Sequence, residues 1–257
     1  MTAPGTLAGK VALISGSSSG IGASIARLLS SRGCSIIINY PFSAAKADAD
    51  AVISTLPSSP PSIAIEADLS SPDGASHLVQ SAAQHFPKVD ILINNAGVAD
   101  STGLADITLE NWDRVVNLNA RGTLLLTQAV LPHLSRKNSR IINIVSATAR
   151  DPAPGMSLYA GSKALVDALT RCWARELPRE YGCTVNAVVP GPIASPMMDR
   201  AGEGFKKGLE KFVGRTPVEA RLGKCEEVAW VVGMLCEEQA GWVNGAWVGV
   251  SGGLHLH

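Results

Sequence analysis

The chain has 257 residues, 46% hydrophobic and 17% charged, and its 22 basic side chains balance 22 acidic ones. That balance excludes the basic excess of a dedicated nucleic-acid binder and the acidic surplus of a disordered chain. No apolar run approaches the ~18 residues of a membrane span, and the start MTAPGTLAGK lacks the basic head and apolar run of a secretory signal.

Cys34, Cys172, Cys183, Cys225 and Cys236 have no metal-ligand spacing and read as core thiols of a cytoplasmic protein. His77, His85, His133, His255 and His257 are scattered and form no metal cluster. The terminal HLH carries no assigned role.

Short apolar runs then alternate with segments of helical period. Candidate strands are KVALIS (10–15), SIIINY (35–40), SIAIEA (62–67), VDILINN (89–95), RIINIVS (140–146), TVNAVV (184–189) and AWVGVSG (246–252). Each is apolar on both alternating faces, the mark of a parallel strand covered on both sides. Ile21, Ile25, Leu28 and Leu29 recur at helical spacing until Gly33. Residues 109–136 and 157–178 are two long helical stretches. Val228, Val231, Val232 and Leu235 follow Glu226 and Glu227, acids suited to a helix N-terminus.

LPSSPPS (56–62) is a surface loop, because proline does not suit a buried strand. The segment 190–217 holds four prolines with Met197, Met198, Phe205 and Phe212, and is a candidate substrate lid. The alternation predicts one α/β domain over 1–257, a three-layer, doubly wound parallel sheet of about seven strands.

SGSSSGIG (15–22) follows the first strand and opens the first helix. Gly16, Gly20 and Gly22 let backbone approach a pyrophosphate, and the helix N-terminus adds unpaired N–H groups and partial positive charge. A glycine cluster alone is also a plain tight turn; the strand before and helix after favour the ligand reading. Ligands of such sheets bind past the carboxyl ends of the strands. Polar residues gather there: Asn39-Tyr40, Asp68-Leu69, Asn94-Asn95-Ala96-Gly97, Ser146 and Pro190-Gly191.

Tyr159 and Lys163, four apart in a helical segment, share a face. An ammonium about 5 Å from a phenol, at an effective dielectric of about 20, favours phenolate by roughly 3 kcal/mol, or about two pKa units. The pair thus predicts a tyrosine able to exchange a proton near neutral pH. By itself such a pair is common by chance. Ser146, at a strand end, is placed to hold a carbonyl oxygen or simply to cap the strand. Asn119, in a helical stretch, either holds a water linked to Lys163 or is a tolerated polar residue.

Together these features resemble the short-chain dehydrogenase/reductase family over roughly residues 8–253. SGSSSGIG stands at the family's cofactor glycine motif, with Ser15 where threonine is usual. NNAG (94–97) matches the strand-stabilising motif. Asn119, Ser146, Tyr159 and Lys163 match the catalytic tetrad in order and spacing. Asp68-Leu69 matches the adenine contact, and PGPIAS (190–195) the segment over the nicotinamide, with Ser195 where threonine is usual.

The resemblance implies a Rossmann-type sheet, NAD(P)-dependent hydride transfer between ketone and secondary alcohol, and a homodimer or homotetramer. It assigns cofactor contacts to Gly16, Ser17, Ser19, Gly20, Ile21, Gly22, Tyr40, Ser43, Asp68, Leu69, Asn95, Ala96, Gly97, Tyr159, Lys163, Pro190, Gly191, Ile193 and Ser195, and no metal. In the implied mechanism Tyr159 is the proton donor and Ser146 steadies the substrate oxygen. Lys163 lowers the phenol pKa and holds the ribose, and Asn119 resupplies protons through water.

NAD-preferring members carry an acid where Tyr40 stands. Its absence, with Ser17, Ser43 and Lys46 available to a 2′-phosphate and a likeness to the fungal naphthol-reductase branch, favours NADP(H) over NAD(H). Ala147, Met156, Pro192, Met197, Met198 and the Phe205 to Phe212 stretch are expected to wall an apolar or aromatic substrate site. Asp199, Arg200, Glu203, Lys206, Lys207, Glu210, Lys211 and Arg215 make a net basic stretch, read as a solvated face before a phosphopantetheine contact. Alternatives are a 3-oxoacyl carrier-protein reductase, a non-redox isomerase or cyclase, and a cofactor-binding scaffold.

Overall fold

The computed structural model describes residues 5–199, 209–210 and 212–256. Arg200, Glu203, Phe205, Lys206, Lys207 and Lys211 of the expected lid lie outside the described residues.

All seven expected strands form: β1 (Val11–Ile14), β2 (Ser35–Tyr40), β3 (Ile63–Glu66), β4 (Ile91–Asn94), β5 (Ser139–Ile144), β6 (Cys183–Pro190) and, after two short strands, β9 (Trp247–Val250). They make one parallel sheet in the order β3-β2-β1-β4-β5-β6-β9. Helices α1 (Gly20–Ser31), α2 (Lys46–Ser54), α3 (Gly74–Ala83), α4 (Leu109–Val116), α5 (Thr123–Val130), α6 (Ser157–Glu176) and a last helix, Cys225–Cys236, make the crossovers.

Alternation decides which layer each strand residue serves. Ile14, Ile36, Ile38, Ile91, Ile93, Ile142 and Ile144 pack with α1, α2 and the last helix. Leu13, Ile37, Leu92, Ile141 and Val185 pack with α3, α5 and α6 on the other face. Burial on both faces is why these strands are built largely from Val, Ile, Leu and Ala.

Ile14 pairs with both Ile38 and Ile93, so β1, β2 and β4 end level. The strand order reverses between β1 and β4, the point where an open α/β sheet forms its ligand crevice. The glycine turn, Asn39-Tyr40 and Asn94-Asn95 therefore emerge together.

Two local departures from the periodicity matter. The stretch 109–136 is not one helix: α4 gives way to a π-helical turn at Asn117–Gly122 before α5 begins, and a short turn at Leu131–His133 containing Pro132 ends it. A wider turn frees backbone groups and is common at functional positions. The chain passes close to β3's exit there, and only glycine fits at 122, because a Cβ on Gly122 would lie 2.6 Å from the Leu69 carbonyl oxygen. Second, β7 (Ile193–Ala194) pairs with β8 (Gly223–Lys224) and pins the two ends of the lid segment together.

Candidate active site

The turn after β1 is held in shape from three sides. Gly16 has φ +59°, and a Cβ there would meet the Ala96 Cα at 2.9 Å. A Cβ on Gly22 would stand 2.5 Å from the Gly16 carbonyl oxygen. Ser15 Oγ accepts the Asn95 and Ala96 N–H groups at 2.9 and 3.0 Å, and Asn95 Nδ2 donates to the Ser15 and Gly16 carbonyls, both at 2.9 Å. Asn39 Oδ1 accepts the Gly16 N–H at 3.1 Å while its Nδ2 donates to the Ala67 carbonyl at 3.0 Å.

The result is a backbone cradle that side chains would fill. Ser19 precedes α1 without a side-chain cap bond, and the first turn, with Gly20, Ile21 and Gly22, has no acidic residue. Such an N-terminus suits an anion. The residues therefore fit a dinucleotide.

Ser17 departs from its expected place at the phosphate. It is fully buried, donates to the Ile14 carbonyl at 2.7 Å and accepts the Asn39 N–H at 3.1 Å. Its hydroxyl ties β1 to β2 and is spent there. Tyr40 is buried, Ser43 is exposed, and exposed Lys46 pairs with Asp50 at 2.5 Å. Asp68 is exposed and accepts from the Ser70 N–H and hydroxyl at 2.8 and 2.7 Å, while Leu69 is buried. Past β6, the Gly191 N–H donates to the Val250 carbonyl at 3.0 Å. Ile193 sends its side chain into the core, so backbone is what it offers a ligand. Ser195 and Pro196 close to within 3.8 and 3.5 Å of a Cβ placed on Gly20.

Lys163, on α6, is buried and its Nζ donates to the Ile144 carbonyl at 2.8 Å. Gly97 makes room for it, since a Cβ there would lie 3.4 Å from Nζ and 3.1 Å from Asn119 Oδ1. The Asn119 side chain is bonded within the protein. It accepts the Val98 N–H at 2.8 Å and donates to the Val98 carbonyl at 2.9 Å and to Ser162 Oγ at 3.0 Å. Thr123 Oγ1 bonds the Asn119 carbonyl at 2.9 Å. The structure thus gives that side chain the job of fixing the NNAG loop against α6.

Ser146 Oγ accepts from Thr148 N–H at 3.3 Å and Thr148 Oγ1 at 2.9 Å, leaving its own proton to donate. Burial holds the Tyr159 phenol above the usual tyrosine value, and the neighbouring Ser146 side chain offsets only part of that. Burial likewise pushes Lys163 down to about 8. Burial thus shifts both groups towards their neutral forms, a desolvation cost that the simple pair estimate leaves out.

The family profile described as enoyl-(acyl carrier protein) reductase matches residues 16–255. The short-chain dehydrogenase/reductase FrzI of a Cladobotryum species is 38% identical, covering 99% of each chain. The hydroxynaphthalene reductase of Aspergillus fumigatus is 36% identical over 93% of this chain and 90% of its own. A short-chain dehydrogenase from Burkholderia cenocepacia, solved with NADP, superposes with TM-score 0.88 at 35% identity, covering 97% of this chain and 99% of that one. The chain belongs to the short-chain dehydrogenase/reductase family. It is an oxidoreductase of the nicotinamide-dependent class, and no helix among its described residues is long and apolar enough to cross a membrane.

Of the expected substrate walls, Ala147 and Pro192 border cavities, Met156 is buried, Met197 is largely exposed, and Phe212 lies against the His255 ring with centroids 5.4 Å apart. The sequence placed Asn39 at the crevice, as a polar residue ending an otherwise apolar strand, but assigned it no role, and it gave no place here to Ser162 or His255.

Proposed function

We propose that this family member is an NADPH-preferring carbonyl reductase that converts a ketone on an apolar or aromatic small molecule to a secondary alcohol. The observation that carries the reading is Lys163, on the helix that also holds Tyr159, anchored at 2.8 Å to the Ile144 carbonyl two residues before Ser146, beside a glycine cradle sized for backbone alone. The naphthol reductase relative and the NADP-bound structure support the substrate class and the cofactor.

Gly16, Ser19, Gly20, Ile21 and Gly22 would hold the pyrophosphate, and Asp68 and Leu69 the adenine. Asn95, Ala96, Gly97, Pro190, Gly191, Ile193 and Ser195 would flank the nicotinamide end. Tyr40, Ser43 and Lys46 stand nearest a 2′-phosphate, and none carries the negative charge that would repel it. The reduced nicotinamide supplies a hydride when bound. Ser146 donates a hydrogen bond to the substrate oxygen, and Tyr159 gives that oxygen its phenolic proton as the carbonyl carbon becomes tetrahedral. Lys163 moves from the Ile144 carbonyl towards the ribose, and Asn119 keeps Val98 and Ser162 in place around it. One domain carries both halves of the site, in a cytoplasmic homodimer or homotetramer.

The test is a panel of ring ketones and their alcohols with NADPH and NADH, followed by nicotinamide absorbance. Faster reduction of aromatic ketones with NADPH is expected. A large NADH preference would overturn the cofactor choice, and turnover confined to acyl thioesters would move the substrate class to carrier-protein chemistry.

A further inference from the structure

Beyond β9 the chain turns back on itself. Gly252 and Gly253 adopt φ +61° and +82°, and Ser251 Oγ bonds both the N–H and the carbonyl of His255 at 3.3 Å. The tail lies hard against the trailing end of the lid segment. A Cβ on Gly252 would meet Thr216 Cγ2 at 2.7 Å, and the Gly252 carbonyl accepts the Val218 N–H at 3.1 Å. His255 completes the contact. Its side chain is only 6% exposed, its ring packs tilted on Phe212, and its Nδ1 donates to Asp151 Oδ2 at 2.9 Å. Asp151 lies in the loop that carries Ser146 towards α6. One residue five positions past β9 therefore ties together the two segments that flank the reacting groups.

Two cavities lie on either side of it. One of about 150 Å³ reaches Ala147, the neighbour of Ser146. The other, of about 410 Å³, reaches Pro192 in the segment expected over the nicotinamide. Gly249, Ser251, His255 and Leu256 are walls of both. The smaller space is below the ~300 Å³ at which ordinary ligand pockets begin, the larger is just inside that range, and removing their shared wall would join them.

We propose that His255 is a specificity-determining residue: the C-terminal tail partitions the substrate cleft, and the imidazole sets the size of ketone admitted. The inference rests on the carbonyl-reductase reading above. Asp151 is more than half exposed, so its pairing with His255 is the weaker tie, and packing of the ring on Phe212 is the stronger.

The experiment compares wild type, His255→Ala, His255→Phe and Asp151→Asn on one-ring and three-ring ketones, with NADPH affinity measured separately. His255→Ala is expected to shift kcat/KM about tenfold in favour of the three-ring ketone, through KM, with NADPH affinity unchanged. His255→Phe keeps the ring and should keep the wild-type preference, and Asp151→Asn should change little. A His255→Ala variant whose kcat/KM changes equally for both sizes, or not at all, overturns the proposal and leaves the reductase reading intact. If wild type reduces no ketone, that reading fails, and amide hydrogen exchange then decides the partition. Faster exchange in both 147–151 and 212–218 of His255→Ala supports it, and unchanged exchange in either overturns it.

Discussion

Lys163 Nζ donates to the carbonyl oxygen of Ile144 across 2.8 Å, so a lysine buried in α6 is anchored to the end of β5, two residues before Ser146. Burial has lowered its pKa from 10.5 to about 8. A lysine depressed in the folded state binds fewer protons there than in the unfolded chain. Stability therefore rises with pH between about 8 and 10.5 and is lost as pH falls through 8. The full difference is about 3 kcal/mol. Nucleotide-free wild type should gain that stability relative to Lys163→Met between pH 7.5 and 10, measured by urea unfolding. Parallel pH profiles of the two proteins would contradict the buried-lysine geometry.

Ser17 gives a sharper distinction. Its hydroxyl serves Ile14 and Asn39, so Ser17→Ala leaves the Asn39 N–H and the Ile14 carbonyl short of a partner. We expect a loss of ~1–3 kcal/mol in stability. The ratio of NADPH to NADH affinity should stay as in wild type. A fall in NADPH affinity alone would return Ser17 to the phosphate.

The sheet was legible because strands buried on both faces announce themselves as continuous Val, Ile and Leu runs, and SIIINY forms β2 without a residue's error. The four tetrad positions were proposed because their order and spacing match the family pattern. What was not legible depends on side-chain direction or on contacts distant in sequence. The π-helical turn at Asn117–Gly122 lies within an apolar period that runs on both sides of it, and the approach of Gly122 to Leu69 comes from across the fold. β7 and β8 are two residues each, too short for a pattern. Ser17 among glycines looks like a ligand until its hydroxyl is seen to point inward. His255 meets Asp151 and Phe212 only once the chain has closed.

Gly97 is the narrowest point between Asn119 and Lys163. Gly97→Ala introduces a methyl 3.1 Å from Asn119 Oδ1 and 3.4 Å from Lys163 Nζ, so one of them must shift. Overpacking of this kind costs ~1–3 kcal/mol. The expected signature is a lower kcat and a lower Tm, read by steady-state kinetics and thermal unfolding. Unaltered values for both would mean that the loop yields freely.

Thiol chemistry probes the packing independently. Burial pushes Cys34 up to about 12 and Cys183 up to about 11, and raises Cys225 and Cys236, whereas Cys172 is exposed. Native protein should react with a thiol reagent at Cys172 alone, and denatured protein at all five. Rapid native labelling of Cys34 or Cys236 would contradict the close packing of α1, β2 and the last helix.

The central claim is that Tyr159 supplies the proton. Tyr159→Phe keeps the ring and removes only the hydroxyl. The decisive measurement is kcat of this variant on the best ketone of the panel, alongside NADPH affinity by fluorescence titration. The account predicts a loss of ~10²–10⁴ in kcat with NADPH bound as tightly as before. Turnover at the wild-type rate would contradict it.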